Sequence, residues 1–266
     1  MAERQENLIY GIHAVEEAVR AGARRIEYVA AVKGRADAKL QRVLDACREA
    51  RISVRFVERE QLDRMTGKGA VHQSVAAVTA GTAYVDLDQL LREQRGERHF
   101  LLLLDGVEDP HNLGALLRSA DASGVDGVVI PERRAVGVNA TVVKASAGAS
   151  EYVPVAKVVN LSRVLDELKE RNIWIVGLDE RAETLYDAMD FTGDVAIVLG
   201  AEGAGLHDQV RKRCDFLIKI PMLGRVASLN VSVAGGVVMC EVARQRRGTS
   251  TTKARGNQGE RKGLGS

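Results

Sequence analysis

The 266-residue chain is 45% hydrophobic and 28% charged, which is the composition of a folded protein with a buried core rather than of a disordered or fibrous one. Its amino terminus is polar and charged, and no run of about 18 uncharged apolar residues occurs, so the sequence signals neither secretion nor membrane insertion. We therefore expect a cytoplasmic protein that has no membrane partner.

Charge is distributed unevenly along the chain. Lys and Arg outnumber Asp and Glu by 3 in residues 1–80 and by 6 in residues 244–266, whereas acidic residues are in excess by 7 in residues 81–243. Basic ends beside an acidic body fit a protein that binds a polyanion away from its functional pocket, although many proteins carry basic tails with no such role. Charge alone therefore leaves a nucleic-acid partner as one of two open alternatives.

The three cysteines, Cys47, Cys214 and Cys240, lie far apart, with no Cys-x-x-Cys pair and no neighbouring histidine cluster. This spacing fits neither a disulfide framework nor a zinc site. We predict reduced, buried thiols and no metal site.

Residues 1–80 alternate helical and extended patterns, which predicts a small α/β domain with a core of its own. The apolar spacing predicts a helix at 8–22, a strand at 25–32, a helix at 37–50, a strand at 53–57, a short helix at 58–65 and a strand at 72–80. The polar segment 81–98, which contains one short helical pattern, is predicted to be a linker.

Residues 99–247 form a second predicted α/β domain, a sheet with connecting helices. Strands are predicted at 99–106, 125–131, 173–179, 194–200 and 216–221, and helices at 114–124, 161–172 and 231–246. The first of these strands is a fully apolar run typical of a parallel sheet. Gly235 and Gly236 in the last helix indicate that another backbone packs closely there. Residues 248–266 lack apolar periodicity and are predicted to be a disordered basic tail.

The loop at 105–120 joins a buried strand to a helix, which is where ligands bind in open parallel sheets. Asn112 and Gly114 lie at the turn, and Arg118 is predicted on the first turns of the helix, within reach of a ligand in the loop. Each residue also has a structural explanation, because Asn caps helices, Pro110 favours turns and exposed Arg is common on helices.

Two further loops follow predicted strands. The loop at 197–206 is rich in glycine and holds one acid, Glu202. It matches neither GxGxxG nor a phosphate-binding P-loop, so NAD and ATP are poorly supported. The loop at 218–236 contains Ser228 and Asn230, either of which can serve as the N-cap of the last helix. These structural explanations weaken when the three loops are considered together, because each follows a strand of one predicted sheet.

The three loops together closely resemble the three motifs of the SpoU/TrmH family, the ribose 2'-O-methyltransferases of the SPOUT superfamily. HNLGALLRSA, LGAEGAGL and IPMLGRVASLNVSVA occur in the family's order and spacing, and KASAGASEYVPV is similar as well, so the resemblance spans residues 100–246. YGIHAVEEAV and GKGAVHQSVAAV further resemble the subgroup that methylates a guanosine in the peptidyl-transferase loop of 23S ribosomal RNA. Ser74 departs from that subgroup, which usually has Gly after HisGln.

The resemblance implies an RNA methyltransferase that uses S-adenosylmethionine (SAM) and no metal. It implies a small N-terminal α/β RNA-binding domain, a C-terminal SPOUT α/β domain with a deep trefoil knot, and a homodimer in which each site uses parts of both subunits. The implied SAM-binding residues are Leu178, Gly200, Ile220 and Leu229. The implied catalytic and substrate-orienting residues are Asn112, Arg118, Glu202, Ser228 and Asn230.

Methyl transfer to a ribose requires the oxygen in line with the methyl donor and loss of the hydroxyl proton. The family's usual account makes the residue corresponding to Arg118 the base, but a guanidinium holds its proton too firmly for that role. We predict instead that Arg118 binds the adjacent phosphate and stabilises negative charge developing on the ribose oxygen.

Three alternatives remain open at this point. Transfer RNA is the main alternative substrate, since related family members methylate a guanosine in its D-loop, although they generally lack this N-terminal domain. A catalytically inactive RNA-binding assembly factor is the second, and the intact motif residues argue against it. A nucleotide-binding oxidoreductase is the third, and it lacks the phosphate fingerprint at the first strand.

Overall fold

A computed structural model describes residues 8–22, 26–34, 37–67, 69–79 and 84–259, with side chains described as far as residue 247. The described residues form two sheets, one of four strands within the first 79 residues and one of seven strands from residue 100 onward. The predicted fold class, a small N-terminal α/β domain followed by a larger α/β domain, is confirmed. The trefoil knot stays a prediction.

The N-terminal domain is built on a mixed sheet. Its elements are β1 (Leu8–Tyr10), α1 (Ile12–Ala21), β2 (Ile26–Val32), α2 (Ala38–Glu49), β3 (Val54–Val57), α3 (Arg59–Thr66) and β4 (Val75–Thr79). The strand order is β1-β4-β2-β3, in which β4 is antiparallel to both neighbours and β3 is parallel to β2. Helices α1 and α2 bury one face of the sheet, and the shorter α3 covers part of the other face with Leu62 and Met65.

The predicted helix at 8–22 is wrong over its first residues. Leu8–Tyr10 form β1 and pair with β4, and α1 begins only at Ile12, whose backbone N–H donates to Gln73 Oε1 at 3.0 Å. Three apolar residues do not distinguish a strand from a helix by their spacing, so the edge of β4 decides their conformation. The other predicted elements of this domain are confirmed, with ends shifted by a few residues.

The C-terminal domain is a parallel sheet with helices on both faces. Its elements are α4 (Leu87–Arg92), β5 (Phe100–Asp105), α5 (Pro110–Ser123), β6 (Gly127–Pro131), α6 (Ala140–Ala145), β7 (Val155–Val158), α7 (Leu161–Glu170), β8 (Trp174–Leu178), β9 (Thr184–Leu185), β10 (Val195–Gly200), α8 (Asp208–Arg211), β11 (Phe216–Lys219) and α9 (Val231–Gly259). The strand order is β7-β6-β5-β10-β8-β11-β9, and every neighbouring pair is parallel. Helices α5, α6 and α9 cover one face, and α4, α7 and α8 cover the other.

Four elements of this domain, α6, β7, β9 and α8, are absent from the sequence prediction. Each has six residues or fewer. An amphipathic period is not recognisable over so short a stretch, so strand pairing and packing determine these elements.

The segment predicted to be a linker packs onto the C-terminal domain over its described part, 84–98. Helix α4 buries Leu90 and Leu91, and the Leu90 side chain lies against Gly127 of β6. The Tyr84 hydroxyl accepts the backbone N–H of Val138 at 2.9 Å. This segment is therefore a structural part of the C-terminal domain. Its composition is mostly polar because only a few of its residues face inward, so the sequence pattern does not predict this packing.

Helix α9 continues to Gly259, which corrects the predicted disordered tail over residues 248–259. Once its first turns are packed, a helix extends at little cost, since each added residue gains a backbone hydrogen bond. Residues 260–266 lie outside the described residues. The predicted close packing at Gly235 occurs against the side chains of Leu116 and Leu199 rather than against another backbone. In the described part of the chain, no helix is both long and apolar enough to cross a lipid bilayer.

The three cysteines differ in burial. Cys47 is buried, and burial raises the pKa of its thiol to about 11. Cys214 is half-buried, and burial raises its pKa to about 12. Cys240 lies on the outer side of α9 and is exposed, which corrects the prediction that all three thiols are buried. All three are free thiols.

The two domains touch where α6 packs on β1 and where α1 meets the segment after α6. The Tyr152 hydroxyl donates to Glu17 Oε2 at 2.6 Å, and the Glu17 side chain lies against Gly148. This hydrogen bond to a carboxylate is the main cause that raises the pKa of Tyr152 to about 12. The KASAGASEYVPV stretch therefore contributes directly to the interdomain contact.

Candidate functional site

The three predicted loops leave the same edge of the seven-stranded sheet. Strands β5, β10, β8 and β11 are neighbours in that order and run parallel. Gly200 is in register with Asp105, and Ile218 with Leu178, so the carboxyl ends of the four strands lie together. The prediction that the loops follow strands of one sheet is confirmed, and this edge is the usual ligand site of open parallel sheets.

One residue from each loop joins a hydrogen-bonded group that we call the Asn-Glu cluster, consisting of Asn112, Glu202 and Asn230. Asn230 Nδ2 donates to Asn112 Oδ1 at 3.0 Å and to Glu202 Oε1 at 2.6 Å. Asn112 is buried, whereas Glu202 and Asn230 are exposed. The cluster therefore has a fixed base and a polar surface open to a ligand.

Asn230 also caps the last helix. Its Oδ1 accepts the backbone N–H of Ser232 at 2.9 Å and the Ser232 hydroxyl at 2.6 Å, at the start of α9. The capping and functional interpretations hold together, because the amide oxygen serves the helix and the amide nitrogen serves the cluster. Asn112 is not a cap, since Asp109 caps α5 by accepting the backbone N–H of His111 at 2.8 Å.

The glycine-rich loop after β10 is a tight turn that presents Glu202. Ala201 and Gly205 exchange backbone hydrogen bonds of 3.1 and 2.9 Å. Gly203 and Gly205 have φ angles of 75° and 69°, which residues with a Cβ atom rarely adopt. A Cβ atom at Gly200 would overlap the main chain of Gly205. The glycines are thus required for the turn that brings Glu202 to the cluster.

Arg118 and Ser228 form no hydrogen bond with the cluster. Arg118 is exposed and lies in the third turn of α5, whereas the sequence predicted the first turns. It is about 9 Å along the helix axis from Asn112. Ser228 lies in the exposed loop 221–230. Neither side chain has a hydrogen bond or ion pair with another part of the described chain.

Of the four residues predicted to bind SAM, three lie together at strand ends and one lies on the exposed loop. Leu178, Gly200 and Ile220 lie at adjacent strand ends, and Leu178 and Ile220 pack on the edge of the main apolar core. Leu229 is 39% exposed on loop 221–230. Half-buried apolar side chains beside main-chain groups suit a nucleoside ligand. Among the residues with described side chains, no group of three His, Cys, Asp or Glu residues could hold a metal ion.

Sequence reasoning missed the pair of Asp105 and His207. Asp105, the buried last residue of β5, accepts the backbone N–H of His207 at 2.8 Å and its Nδ1–H at 2.9 Å. The pair joins the end of the glycine-rich loop to the strand that leads to Asn112. The signal available in the sequence was an acid directly after four leucines, because a buried carboxylate needs hydrogen-bond donors.

Asp179, which follows β8, is a second missed residue. It is buried and accepts hydrogen bonds from Arg181 Nε at 2.9 Å, Arg181 Nη2 at 2.8 Å and Arg211 Nε at 2.9 Å. The hydrogen bonds from Arg181 are the largest cause that lowers the pKa of Asp179 to about 2. These hydrogen bonds join the loop next to Leu178 to Arg211 of α8.

Known proteins share these loops and both domains. The profile of the SpoU rRNA Methylase family matches residues 99–240, and a profile described as RNA 2'-O ribose methyltransferase substrate binding matches residues 8–85. YacO of Bacillus subtilis, assigned to the TrmH family of tRNA/rRNA methyltransferases, is 45% identical over 249 residues, which is 91% of this chain and 97% of that protein. The chain belongs to the SpoU rRNA methylase family.

Two solved structures show which parts of this SpoU-family protein are shared. The SpoU methyltransferase AviRb from Streptomyces viridochromogenes, solved with AdoMet (SAM), is 27% identical with a TM-score of 0.79 and covers 92% of each chain. The Aquifex aeolicus TrmH/SpoU tRNA modifying enzyme is 29% identical with a TM-score of 0.54, over 61% of this chain and 85% of its own. The protein is an RNA methyltransferase that uses SAM, as the resemblance predicted, and the oxidoreductase alternative is excluded.

Proposed function

We propose that this SpoU-family enzyme methylates the ribose 2'-hydroxyl of a guanosine in 23S ribosomal RNA, in the cytoplasm. The observation that carries the proposal is the N-terminal domain, whose profile is described as the substrate-binding part of RNA 2'-O ribose methyltransferases. The sequence motifs at both ends of that domain resemble the subgroup that acts on the peptidyl-transferase loop.

The extent of the structural matches favours ribosomal RNA over transfer RNA. The Aquifex tRNA modifying enzyme corresponds to 61% of this chain, about the share that the C-terminal domain occupies, so the match to this tRNA enzyme is too short to include both domains. An additional folded domain with excess positive charge supports recognition of an RNA surface beyond the methylated nucleotide.

SAM binding is assigned to Leu178, Gly200, Ile220 and Leu229. The half-buried Leu178 and Ile220 offer an apolar site for the adenosyl group, and the turn at Gly200 offers main-chain donors and acceptors. When bound, SAM supplies an electrophilic methyl carbon. Because the Asn-Glu cluster adjoins the same strand ends, a ribose held there lies next to that cofactor.

The Asn-Glu cluster is assigned to orienting the ribose. Asn230 and Glu202 are exposed and joined to each other, so their remaining donors and acceptors are available to sugar hydroxyls. Asn112 is buried and fixes the Asn230 amide, which reduces the reorganisation needed when the ribose binds. Ser228, two residues before Asn230, is assigned to the same substrate-orienting set.

We propose that the site is completed in a homodimer. Arg118 is exposed, has no partner in the described chain and lies away from the Asn-Glu cluster, which supports its use by a neighbouring subunit. Loop 221–230 exposes Leu223 by 97%, Val226 by 70% and Leu229 by 39%, and an exposed apolar surface of this kind supports burial by a second copy. Arg118 then binds the phosphate beside the target and stabilises charge on its ribose oxygen.

The test is to map 2'-O-methyl groups in ribosomal and transfer RNA from cells with and without the gene. We expect one 23S guanosine to lose its methyl group and to regain it when the purified enzyme and SAM are added. The matched control is an RNA with a 2'-deoxyguanosine at that position, which should accept no methyl group. A site that changes only in transfer RNA, or methylation of the deoxy control, would contradict the proposal.

A further inference from the structure

The face of the N-terminal sheet under α3 carries two tyrosines that the helix leaves half-buried. Tyr10 on β1 and Tyr28 on β2 pack with Val78 against the small apolar cluster around Leu62. Only β4 separates β1 from β2 in the sheet, so the two rings share one surface. Because both rings are only half-buried, part of this surface is accessible.

A cation lies over each tyrosine ring. The guanidinium carbon of Arg55 is 3.7 Å from the ring centroid of Tyr28, and Lys144 Nζ is 5.4 Å from the ring centroid of Tyr10. Both cationic residues are exposed, and neither forms an ion pair with an acidic side chain elsewhere in the described chain. We call Tyr10, Tyr28, Arg55 and Lys144 the tyrosine face.

RNA is the partner that this chemistry fits. A guanidinium that rests on an aromatic ring offers its opposite side to a nucleobase, and single-stranded RNA is recognised by such stacking on aromatic and Arg planes. An ammonium without an acidic partner attracts a phosphate. The excess of three positive charges in residues 1–80 makes this domain electrostatically complementary to RNA.

The tyrosine face includes one residue of the catalytic domain. Lys144 belongs to α6 of the catalytic domain, and α6 packs on β1. The next residue, Ala145, is so close to Gly114 of α5 that a Cβ atom at Gly114 would overlap it. Gly114 is two residues from Asn112, so α5 packs on the helix that bears Lys144 and also carries a residue of the Asn-Glu cluster.

We propose that the tyrosine face binds single-stranded nucleotides flanking the methylated one, with a base stacked on the outer side of Arg55 and a phosphate bound by Lys144. The proposal rests on the proposed function, because it requires an RNA substrate. The proposal goes beyond that function because it assigns four residues, one of them in the catalytic domain, to binding the RNA beside the methylated nucleotide.

Fluorescence anisotropy with a labelled transcript of the 23S peptidyl-transferase region tests the proposal on the full-length protein. Arg55→Lys keeps the charge but loses the plane, so we expect RNA affinity to fall about fivefold with an unchanged salt slope. Lys144→Ala should lower affinity and reduce the slope of log affinity against log salt by about 0.7, the loss of one single-strand phosphate contact. Arg48→Ala, whose side chain is 76% exposed on α2, is the matched control and should change neither quantity.

Methyl transfer separates binding from chemistry. For Arg55→Lys and Lys144→Ala we expect KM for RNA to rise while kcat and SAM affinity stay within about twofold, because the face holds RNA away from the reacting atoms. If both variants bind RNA as tightly as the wild type and the wild type transfers the methyl group, the proposal for the tyrosine face is wrong and the proposed function is unaffected. A wild-type protein that binds the transcript but methylates no 2'-hydroxyl overturns the proposed function, while the affinities still decide the face.

Discussion

Asn230 performs two separable tasks with one side chain. Its Oδ1 caps α9 through Ser232, and its Nδ2 holds Asn112 and Glu202. Asn230→Ser keeps a capping oxygen but removes the amide donor. We expect Asn230→Ser to lose less of the free energy of unfolding than Asn230→Ala, because Ser is an equally good cap, while methyl transfer falls at least about tenfold through lost orientation.

Urea unfolding and single-turnover methyl transfer measure the two effects of Asn230→Ser separately. Asn230→Ala is the comparison, since it removes cap and donor together and should lose both stability and activity. Full activity in Asn230→Ser would show that the Nδ2 hydrogen bonds have no part in the reaction.

At the scale of elements, the loop after β8 depends on a buried charge. Arg181 and Arg211 hold the pKa of Asp179 at about 2, below its value in an unfolded chain. A lowered pKa contributes stability above about pH 4, and that contribution is lost as the pH falls through about 2. The shift corresponds to about 2 kcal/mol at neutral pH.

The measurement is the free energy of unfolding between pH 3 and pH 7 for the wild type and Asp179→Asn. We expect the variant to be less stable at neutral pH and to show a flatter acid limb, since the titrating group is gone. Parallel curves for the two proteins would mean that Asp179 contributes no pH-dependent stability.

Helix α4 sets where the catalytic domain begins. A protein that starts at Tyr84 retains the buried Leu90 and Leu91, whereas one that starts at His99 exposes the surface they cover. We expect the shorter protein to lose about 2–5 kcal/mol of stability, the usual cost of removing a buried leucine side chain.

The protein that starts at Tyr84 should fold, dimerise and bind SAM, as urea unfolding, sedimentation and calorimetry would show. Its affinity for RNA should fall at least about tenfold, with a weaker salt dependence, because the N-terminal cations are absent. Equal RNA affinity with and without the N-terminal domain would mean that this domain does not select the RNA substrate.

At the scale of the whole molecule, the position of Arg118 predicts complementation between subunits. Arg118→Ala should abolish methyl transfer while SAM affinity stays within a few-fold, and Arg118→Lys should also fail because a point charge does not replace a planar fork. If the site is shared, a dimer of one Arg118→Ala and one Asn230→Ser subunit has one intact site.

Co-expression of the two variants should then recover about a quarter of wild-type activity, because about half the dimers are mixed and each has one working site. Two tags allow the mixed dimers to be purified. Without RNA, sedimentation checks that the dimer forms and calorimetry with SAM checks that the cofactor site forms. No activity in the mixed dimers would mean that Arg118 and Asn230 serve the same subunit.

Local patterns of residues are enough to identify the family, the cofactor and the loops that carry chemistry. Buried apolar runs such as β5 locate strands, and the loops that follow them carry the motif polar residues. Ser74 stands where the subgroup that the sequence resembles usually has Gly, and its φ of 70° explains why glycine suits that position. These signals are local, so each can be recognised in a stretch of about ten residues.

Which of those residues meet depends on how the chain folds. Asn230 bonds to Glu202 across 28 positions and to Asn112 across 118, because the strand order places β10 and β11 near β5. The fold also leaves Arg118 outside the cluster and packs residues 84–98 against the C-terminal domain. The physical reason is that strand order and close packing depend on contacts between distant segments, whereas apolar periodicity and capping report only on neighbours along the chain.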